Sequence, residues 1–533
     1  MKMNKAAAYL NQHLNGEALI SKAATQRYSY DASMLKSEPE IVVMPRTLDD
    51  VRKVMRFAWQ LAEKGHSLPV TVRGIASDTT GGALASEGGV SVDSAVHLNK
   101  LLETDLKKRL VRVQPGCTIL QLNNYLDQHG LTWPVAGAGT IGGAIAGNKF
   151  SYSNDASSYV ERLEVVLSSG EVLETGRISR REVEHKKGLT TFEGEIYRTI
   201  DSLCDDYADV ITTISNRQLP SGAGYEGIIN VRDGKGAIDL TPLFVGSQGT
   251  LGVISEAIVQ VSMNEQSSLT VFLRYPTVAA ARDSVDELLN LKPNNLSLRT
   301  GNMFTQTVDT GRIPEWLNEI DEHGALVEIK WSDIAPRQAK RLVKKLQKKL
   351  VESSVEMTVV GSGDDQRDVQ RIRSTAAILR HGFNDGRVVP AFFSNMAIST
   401  LVSDKFCKQL AAVEAKHEIV LPYRLDMISG ELHFYPRFDA TKVGGRQAMM
   451  KTFADVAELV CACGGTVVAS GGEGRIKSGE VYARMDTKEL ALYEAIQTLF
   501  DPHRVLNVAA KRPVEANKVA RSLDGHFYSG TIY

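Results

Sequence analysis

Short runs in which apolar and polar side chains alternate dominate the first 260 or so residues. Leu68 to Arg73 (LPVTVR) alternates with a period of two and predicts a strand running into the glycine-bearing stretch Gly74 to Gly82. Gly89 to Asp93 and Leu110 to Val113 predict further short strands. Between Thr118 and His129 the period changes. Ile119, Leu122 and Leu126 recur at helical spacing, with Thr118 placed as the N-cap and Gly130 just past the last turn. Leu163 to Leu167 and Glu171 to Leu173 flank Ser-Ser-Gly170 and predict a hairpin. The pattern is a mixed sheet with helices, not a regular alternation of parallel strands and helices.

From about Asn264 the elements lengthen. Thr277 to Leu289 and Arg337 to Val351 predict helices; Leu269 to Leu273 and Ala325 to Ile329 predict strands. The polar stretch Ser262 to Gln266 follows the apolar run Ile258 to Val261 and marks a domain boundary. Three parts are expected: 1–262, 263–460, and a final segment 461–533 whose tail is polar after Lys511. Arg512-Pro513 is expected to end the last packed element. The fold class read from this pattern is α+β.

Composition narrows the function classes. Sixty-two basic residues against sixty-three acidic ones leave a net charge of −1, so nothing electrostatic points to a nucleic acid partner. Five cysteines in 533 residues make no disulfide framework. Cys461 and Cys463, the one close pair, read as buried small residues in a reducing compartment rather than as metal ligands. Met1 to Glu17 has no secretory apolar core, and no apolar run approaches the ~18 residues of a membrane span. A cytoplasmic location is expected. The basic amphipathic stretch Arg337 to Lys349 carries an apolar stripe of Leu342, Val343, Leu346 and Leu350. It reads as a solvated helix face, the alternative being peripheral contact with an anionic membrane surface.

Three glycine-rich stretches carry the candidate chemistry. Arg73 to Ala83 can turn successive N–H groups toward an anion such as a pyrophosphate. Thr140 to Gly147 (TIGGAIAG) lets a flat cofactor lie against the main chain, and Gly246 to Gly252 (GSQGTLG) permits a sharp turn with hydroxyls at Ser247 and Thr250. None matches the G-x-G-x-x-G dinucleotide fingerprint or a phosphate loop, which removes the chief evidence for a nicotinamide dehydrogenase or an ATPase. Trp133 reads equally as a core aromatic or as a neighbour of the cofactor.

In order and spacing these stretches resemble the PCMH-type, or vanillyl-alcohol-oxidase-type, family of FAD-linked oxidases. Tyr28 to Ser33 resembles the family's entry segment, Arg73 to Ala83 its pyrophosphate loop and Val113 to Gly116 its V-x-P-G turn. Thr140 to Asn148 resembles its second flavin loop, Phe244 to Ile254 its F-V-G-S-E-G-T-L-G-V-I segment, and Phe500 to Asn507 its F-D-P-x-x-I-L-N element. The likeness covers residues from about 25 to 511, and six motifs in order are far more specific than one. It implies a two-part FAD-binding domain, and an α+β substrate (cap) domain with an antiparallel sheet. The implied flavin contacts are Arg73, Gly74, Ile75, Ala76, Ser77, Asp78, Thr79 and Thr80; Pro115 and Gly116; Thr140, Gly142, Gly143, Ala146, Gly147 and Asn148; Gly249, Gly252, Val253 and Ile254; and Asn507. Ser77 stands where members with a covalent flavin carry histidine, so the FAD is expected to be non-covalent. Asp78 stands where glycine is common, and is expected to point away from a pyrophosphate or to cap a turn.

The second half most resembles the D-lactate/glycolate dehydrogenase branch, through Arg371-Ile-Arg373 and Val388-Val-Pro390. That branch's H-x-G-D-G-N-L-H becomes Asp426 to His433 here, and its G-E-H-G becomes Ala469 to Gly474, without histidine. The resemblance implies oxidation of a small 2-hydroxy acid, with His433 as general base and Arg373 on the substrate carboxylate. Asp426, His433 and Glu473 are the candidates for a divalent metal, whose binding the lost imidazoles put in doubt. Rival readings are a sugar or aldonolactone oxidase of the same fold, and a flavin-binding protein without turnover. The electron acceptor and the oligomeric state are not legible.

Overall fold

The carboxylate of Asp50 shows how local sequence builds the first layer of the fold. Thr47 and Asp50 form a reciprocal cap on the helix Leu48–Glu63. The fully buried Asp50 also accepts backbone N–H bonds from Asn15 (2.8 Å), Gly16 (3.1 Å), Arg46 (2.9 Å) and Thr47 (3.2 Å). One side chain thereby ties the N-terminal strand to the helix start. The helix presses Val51, Val54, Met55 and Ala58 onto Ile41, Val43, Val70 and Val90.

The computed structural model describes residues 3–524 except 87, 136, 149–158, 220, 308–310, 351–353, 362–365, 382–385 and 400–403. The chain divides into two compact units, Met1–Met263 with Val468–Asp524, and Asn264–Val467. The first carries a four-stranded sheet in the order Glu17–Leu19, Ile41–Met44, Val90–Asp93, Val70–Arg73, antiparallel at the first pair and parallel at the other two. It also carries a five-stranded antiparallel sheet in the order Leu101–Asp105, Leu110–Val113, Val253–Gln260, Val160–Val166, Val172–Glu174. The hairpin at Gly170 forms with Val165 opposite Leu173, and Thr118 caps the helix Ile119–Asp127. The second unit is built on a seven-stranded antiparallel sheet. Its order is Glu356–Gly361, Ser268–Tyr275, Ala325–Ser332, Asn295–Thr300, Tyr423–Asp426, Glu431–Phe434, Met396–Ala397. The architecture is α+β.

Four expectations are corrected. The helix over Thr277 to Leu289 is two, Val278–Asp283 and Val285–Leu289, because Ser284 turns its hydroxyl onto Tyr275 and the Ala281 carbonyl. The flavin-loop motif at 140 is a short helix, Ile141–Ala146, capped by Thr140. Cys461 and Cys463 are only partly buried, at the end of the helix Val443–Ala462. The chain does not stop packing at Pro513. The helix Ala516–Ser522 buries Val519, Leu523 pairs with Leu35, and Asp524 accepts from Tyr30 Oη at 2.8 Å. Residues 525–533 of the polar tail, and Val351 at the end of the basic helix, lie outside the described residues. That helix, Pro336–Leu350, fully buries only Leu346. Among the described residues no helix is long and apolar enough to cross a membrane.

Asp50→Ala leaves several buried N–H groups without an acceptor at once. It should lower the stability of the protein by about 2–3 kcal/mol. Urea unfolding followed by far-UV circular dichroism checks this, and an unchanged midpoint would count against the role given to the carboxylate.

Candidate active site

In the first unit the strand Val70–Arg73, the helix Ile141–Ala146 and the segment 247–254 wall a cleft. Seven glycines and three alanines are among its lining residues. A β-carbon on Gly74 would lie 2.2 Å from Thr140 Oγ1, so only glycine lets these two walls meet. Gly249 has φ +69°, and a β-carbon there would meet nothing within 4 Å.

Sixteen of the expected contacts line the cleft: Arg73 through Asp78, Pro115, Thr140, Gly142, Gly143, Ala146, Gly147, Gly249, Gly252, Val253 and Ile254. Thr79, Thr80, Gly116, Asn148 and Asn507 do not. Gly116 is packed against the Ser94 carbonyl, and Asn507 lies one layer behind. Sequence reasoning passed over Val72, Gly82, Ala83, Ser94, Ser247 and Gln248 as lining residues. Ser94 could have been found from its place at the end of a strand; its hydroxyl donates to the Arg73 carbonyl at 3.0 Å. Trp133 is fully buried with Leu122 and Leu126, which makes it a core aromatic.

Asp78 turns inward. Its Oδ1 accepts from Thr80 N (2.7 Å), Gly82 N (3.0 Å) and Thr80 Oγ1 (3.0 Å), so the carboxylate caps its own loop. Behind that loop Arg73 donates to the Tyr28 carbonyl at 3.2 Å and lies 5.0 Å over the Tyr28 ring. The Nε atoms of Arg73 and Arg475 are buried without a hydrogen-bond partner among the described residues. Burial and the Asp78 charge push the Asp31 carboxyl up to about 7. Unspent guanidinium donors beside a glycine-walled cleft fit an anionic, phosphate-bearing cofactor.

Deeper still, Gln248 spans to a buried ion pair. Its Nε2 donates to Glu473 at 2.7 Å and its Oε1 accepts from Gly474 N at 3.1 Å. Glu473 also accepts from Lys511 Nζ (3.0 Å), Tyr482 Oη (2.5 Å) and Gly224 N (3.3 Å). As a candidate metal ligand, Glu473 already has both oxygens engaged. Asp426 is engaged too, holding Ile428 N, Ser429 N and Asn295 Nδ2. Among the described residues no three His, Cys, Asp or Glu side chains gather as a metal site.

In the second unit the register sets Arg299, Arg424 and His433 directly opposite one another on three adjacent strands. The buried Glu328 binds Arg299 at 2.9 Å through Oε2 and Arg373 at 2.7 and 3.0 Å through Oε1. Two of the donors Arg373 could offer a substrate are thus already committed. The Asn395 amide donates to His433 Nδ1 at 3.3 Å. A backbone N–H can only donate, so the neutral ring carries its proton on Nε2, which faces Glu431 Oε1 at 3.7 Å. Burial, with help from Arg424 and Arg380 and against Glu431, holds His433 below the ordinary histidine value of 6.5.

A sheet-and-helix unit with a glycine-walled cleft, joined in one chain to a second unit bearing an antiparallel sheet with charged side chains on one face, is the class of two-domain flavin oxidoreductases. Residues 39–176 match the FAD binding domain, and residues 264–509 match the C-terminal domain of FAD linked oxidases. The chain belongs to the FAD-linked oxidases of the PCMH-type fold, and FAD is its cofactor. It is 24% identical to the glycolate oxidase subunit GlcD of Bacillus subtilis, over 93% of this chain and 94% of that protein. It is 25% identical to the D-2-hydroxyglutarate dehydrogenase of Pantoea ananatis over 93% of this chain, which spans only half of that protein's length. Among solved structures, 4-ethylphenol oxidase from Gulosibacter chungangensis shares the fold at a TM-score of 0.67 and 14% identity, covering 96% of this chain and 97% of that one. A p-cresol methylhydroxylase does so at 0.66 and 15%, with the same coverage.

With Ser77 where a linking histidine would stand, acid precipitation should release the flavin as intact FAD into a yellow supernatant, identified by mass spectrometry. Flavin retained in the washed pellet would contradict this.

Proposed function

We propose that this protein oxidises a small 2-hydroxy acid to the 2-oxo acid, with FAD taking the hydride and His433 the hydroxyl proton. The observation that carries the reading is a largely enclosed histidine set directly across from an arginine on one sheet face, with a second arginine in the next strand. The names of the relatives support it: a glycolate oxidase subunit, and dehydrogenases of D-2-hydroxyglutarate and D-lactate. When bound, the flavin supplies the two-electron acceptor. The cleft residues named above would hold it, with Arg73 and the backbone N–H groups of the turn after it suited to the phosphates.

The chain's own part is to move one proton. His433 Nδ1 accepts the hydroxyl proton in place of the long Asn395 contact, and Glu431 steadies the resulting imidazolium across Nε2. Arg424 and Arg380 disfavour that charge before substrate arrives. An anionic substrate offsets them, so the base strengthens only when the site is filled.

Anaerobic mixing with a hydroxy-acid panel should bleach the flavin absorbance. His433→Ala should keep its FAD and lose about 10²–10⁴-fold in reduction rate. Near-normal reduction by that variant removes His433 from the mechanism. Because burial lowers the histidine, kcat/KM should stay level from pH 8 to 7 and fall on the acid side with a midpoint below 6.5. A midpoint above 7 would exclude His433 as the group that must be neutral.

A further inference from the structure

The His433 face of the second unit holds more positive charge than its own carboxylates answer. Four guanidinium groups, Arg299, Arg373, Arg380 and Arg424, meet three carboxylates, Glu328, Glu431 and Asp426, the last of them held by Ile428 N, Ser429 N and Asn295 Nδ2. Glu328 is committed to Arg299 and Arg373 through both its oxygens. Glu431 lies against His433. Arg380 and Arg424 form no ion pair among the described residues. Arg380, on the helix Arg367–His381, spends one Nη2 hydrogen on Ser394 Oγ at 2.6 Å and stacks 5.6 Å from the Tyr435 ring centre. Its Nε is buried without a hydrogen-bond partner among the described residues, and so is the Nε of Arg424.

That arrangement is costly unless something repays it. A buried donor with no acceptor is destabilising, and more so when charged. Two such donors, one on Arg424 directly across from His433 and one on Arg380, which bonds Ser394 next to the Asn395 amide that meets His433, form a feature that packing alone does not explain. Nε and Nη of a guanidinium form a planar fork whose natural complement is a carboxylate. Arg373 is the weaker anchor, since Glu328 already holds its Nε and Nη2.

We infer that Arg380 and Arg424 together bind the carboxylate of the substrate beside His433, and so select anionic substrates over neutral alcohols of the same skeleton. Arg299 and Arg373, clasped by Glu328, act as positioning residues that hold the sheet face and the helix in register. The assignment rests on the hydroxy-acid reading for the identity of the anion, but the anion site stands on its own geometry.

The test uses the FAD-loaded protein and oxalate, a planar dianion that cannot be oxidised by hydride loss. Calorimetric titration should show saturable oxalate binding, weakened about 10- to 100-fold in Arg380→Gln and in Arg424→Gln and partly restored by lysine at either position. Arg337→Gln, an exposed charge on the basic helix, should bind oxalate as the unaltered protein does. With D-lactate and 1,2-propanediol compared by dye reduction, the glutamine variants should raise KM for the acid far more than they lower kcat. If Arg424→Gln does not fold, as judged by circular dichroism and flavin content, the half-exposed Arg380 carries the test. Absence of oxalate binding to the unaltered protein, or equal binding by the Arg380→Gln variant, overturns the inference. Arginine-dependent oxalate binding without flavin bleaching by any hydroxy acid upholds the anion site and overturns the proposed reaction. Bleaching by D-lactate with an unchanged KM in both variants does the reverse.

Discussion

One carboxamide sets the width of the cofactor cleft. Asn507 donates one side-chain N–H to the Gly82 carbonyl at 2.9 Å and the other to the Gln248 carbonyl at 2.7 Å, while its own amide bonds Val70 at 2.8 Å. The two turns it joins are rich in glycine and have few side chains with which to grip each other, so backbone carbonyls are what remain to be held. Asn507 sits at φ +36° and Gln248 at φ +53°, conformations that cost of order 1 kcal/mol or more and persist only where the surroundings dictate them. Here they do. The buried Glu473–Lys511 pair fixes Gln248 from behind, and nearly every polar atom in that pair finds a hydrogen bond. A buried ion pair contributes little net stability. Its effect here is to fix the position of one lining side chain.

What could be read in the sequence was local. The Thr118 cap, the Gly170 hairpin and the turn-capping role of Asp78 each depend on residues within four positions of one another, and each stands as expected. The glycine stretches were legible because a wall made of main chain leaves a compositional trace. Gln248 leaves no local trace of its role, since its partner Glu473 lies 225 positions away. The same holds for Arg373 and Glu328, 45 positions apart, whose pairing changes what the arginine has left to offer. Arg380 and Arg424 carry no motif at all; only sheet register and a helix bring them to His433. The packed helix after Pro513 escaped notice because two buried side chains, Val519 and Leu523, suffice to anchor an otherwise polar segment.

The likeness to phenol-oxidising enzymes at 14–15% identity shows how much a frame can be shared while substrate chemistry is not. In this chain the cofactor cleft is lined largely by glycine, alanine and other small residues, while the second unit's sheet carries a row of charged side chains. A cross-strand row of arginine, arginine and histidine is an unusual surface, since like charges directly opposite one another repel. Such a row persists only because Glu328 neutralises one end of it.

The first unit is discontinuous in sequence: residues 468–524 complete what residues 1–263 begin. On a ribosome the N-terminal portion therefore emerges with its cleft unclamped, and some two hundred further residues must be made before Asn507, Glu473 and Lys511 exist to close it. At ~5–20 residues per second that interval lasts ten seconds or more, during which strand edges and apolar faces meant for the C-terminal segment stay uncovered. A nascent chain that stops before Asn507 carries every residue of the cleft lining and lacks the carboxamide that clamps it.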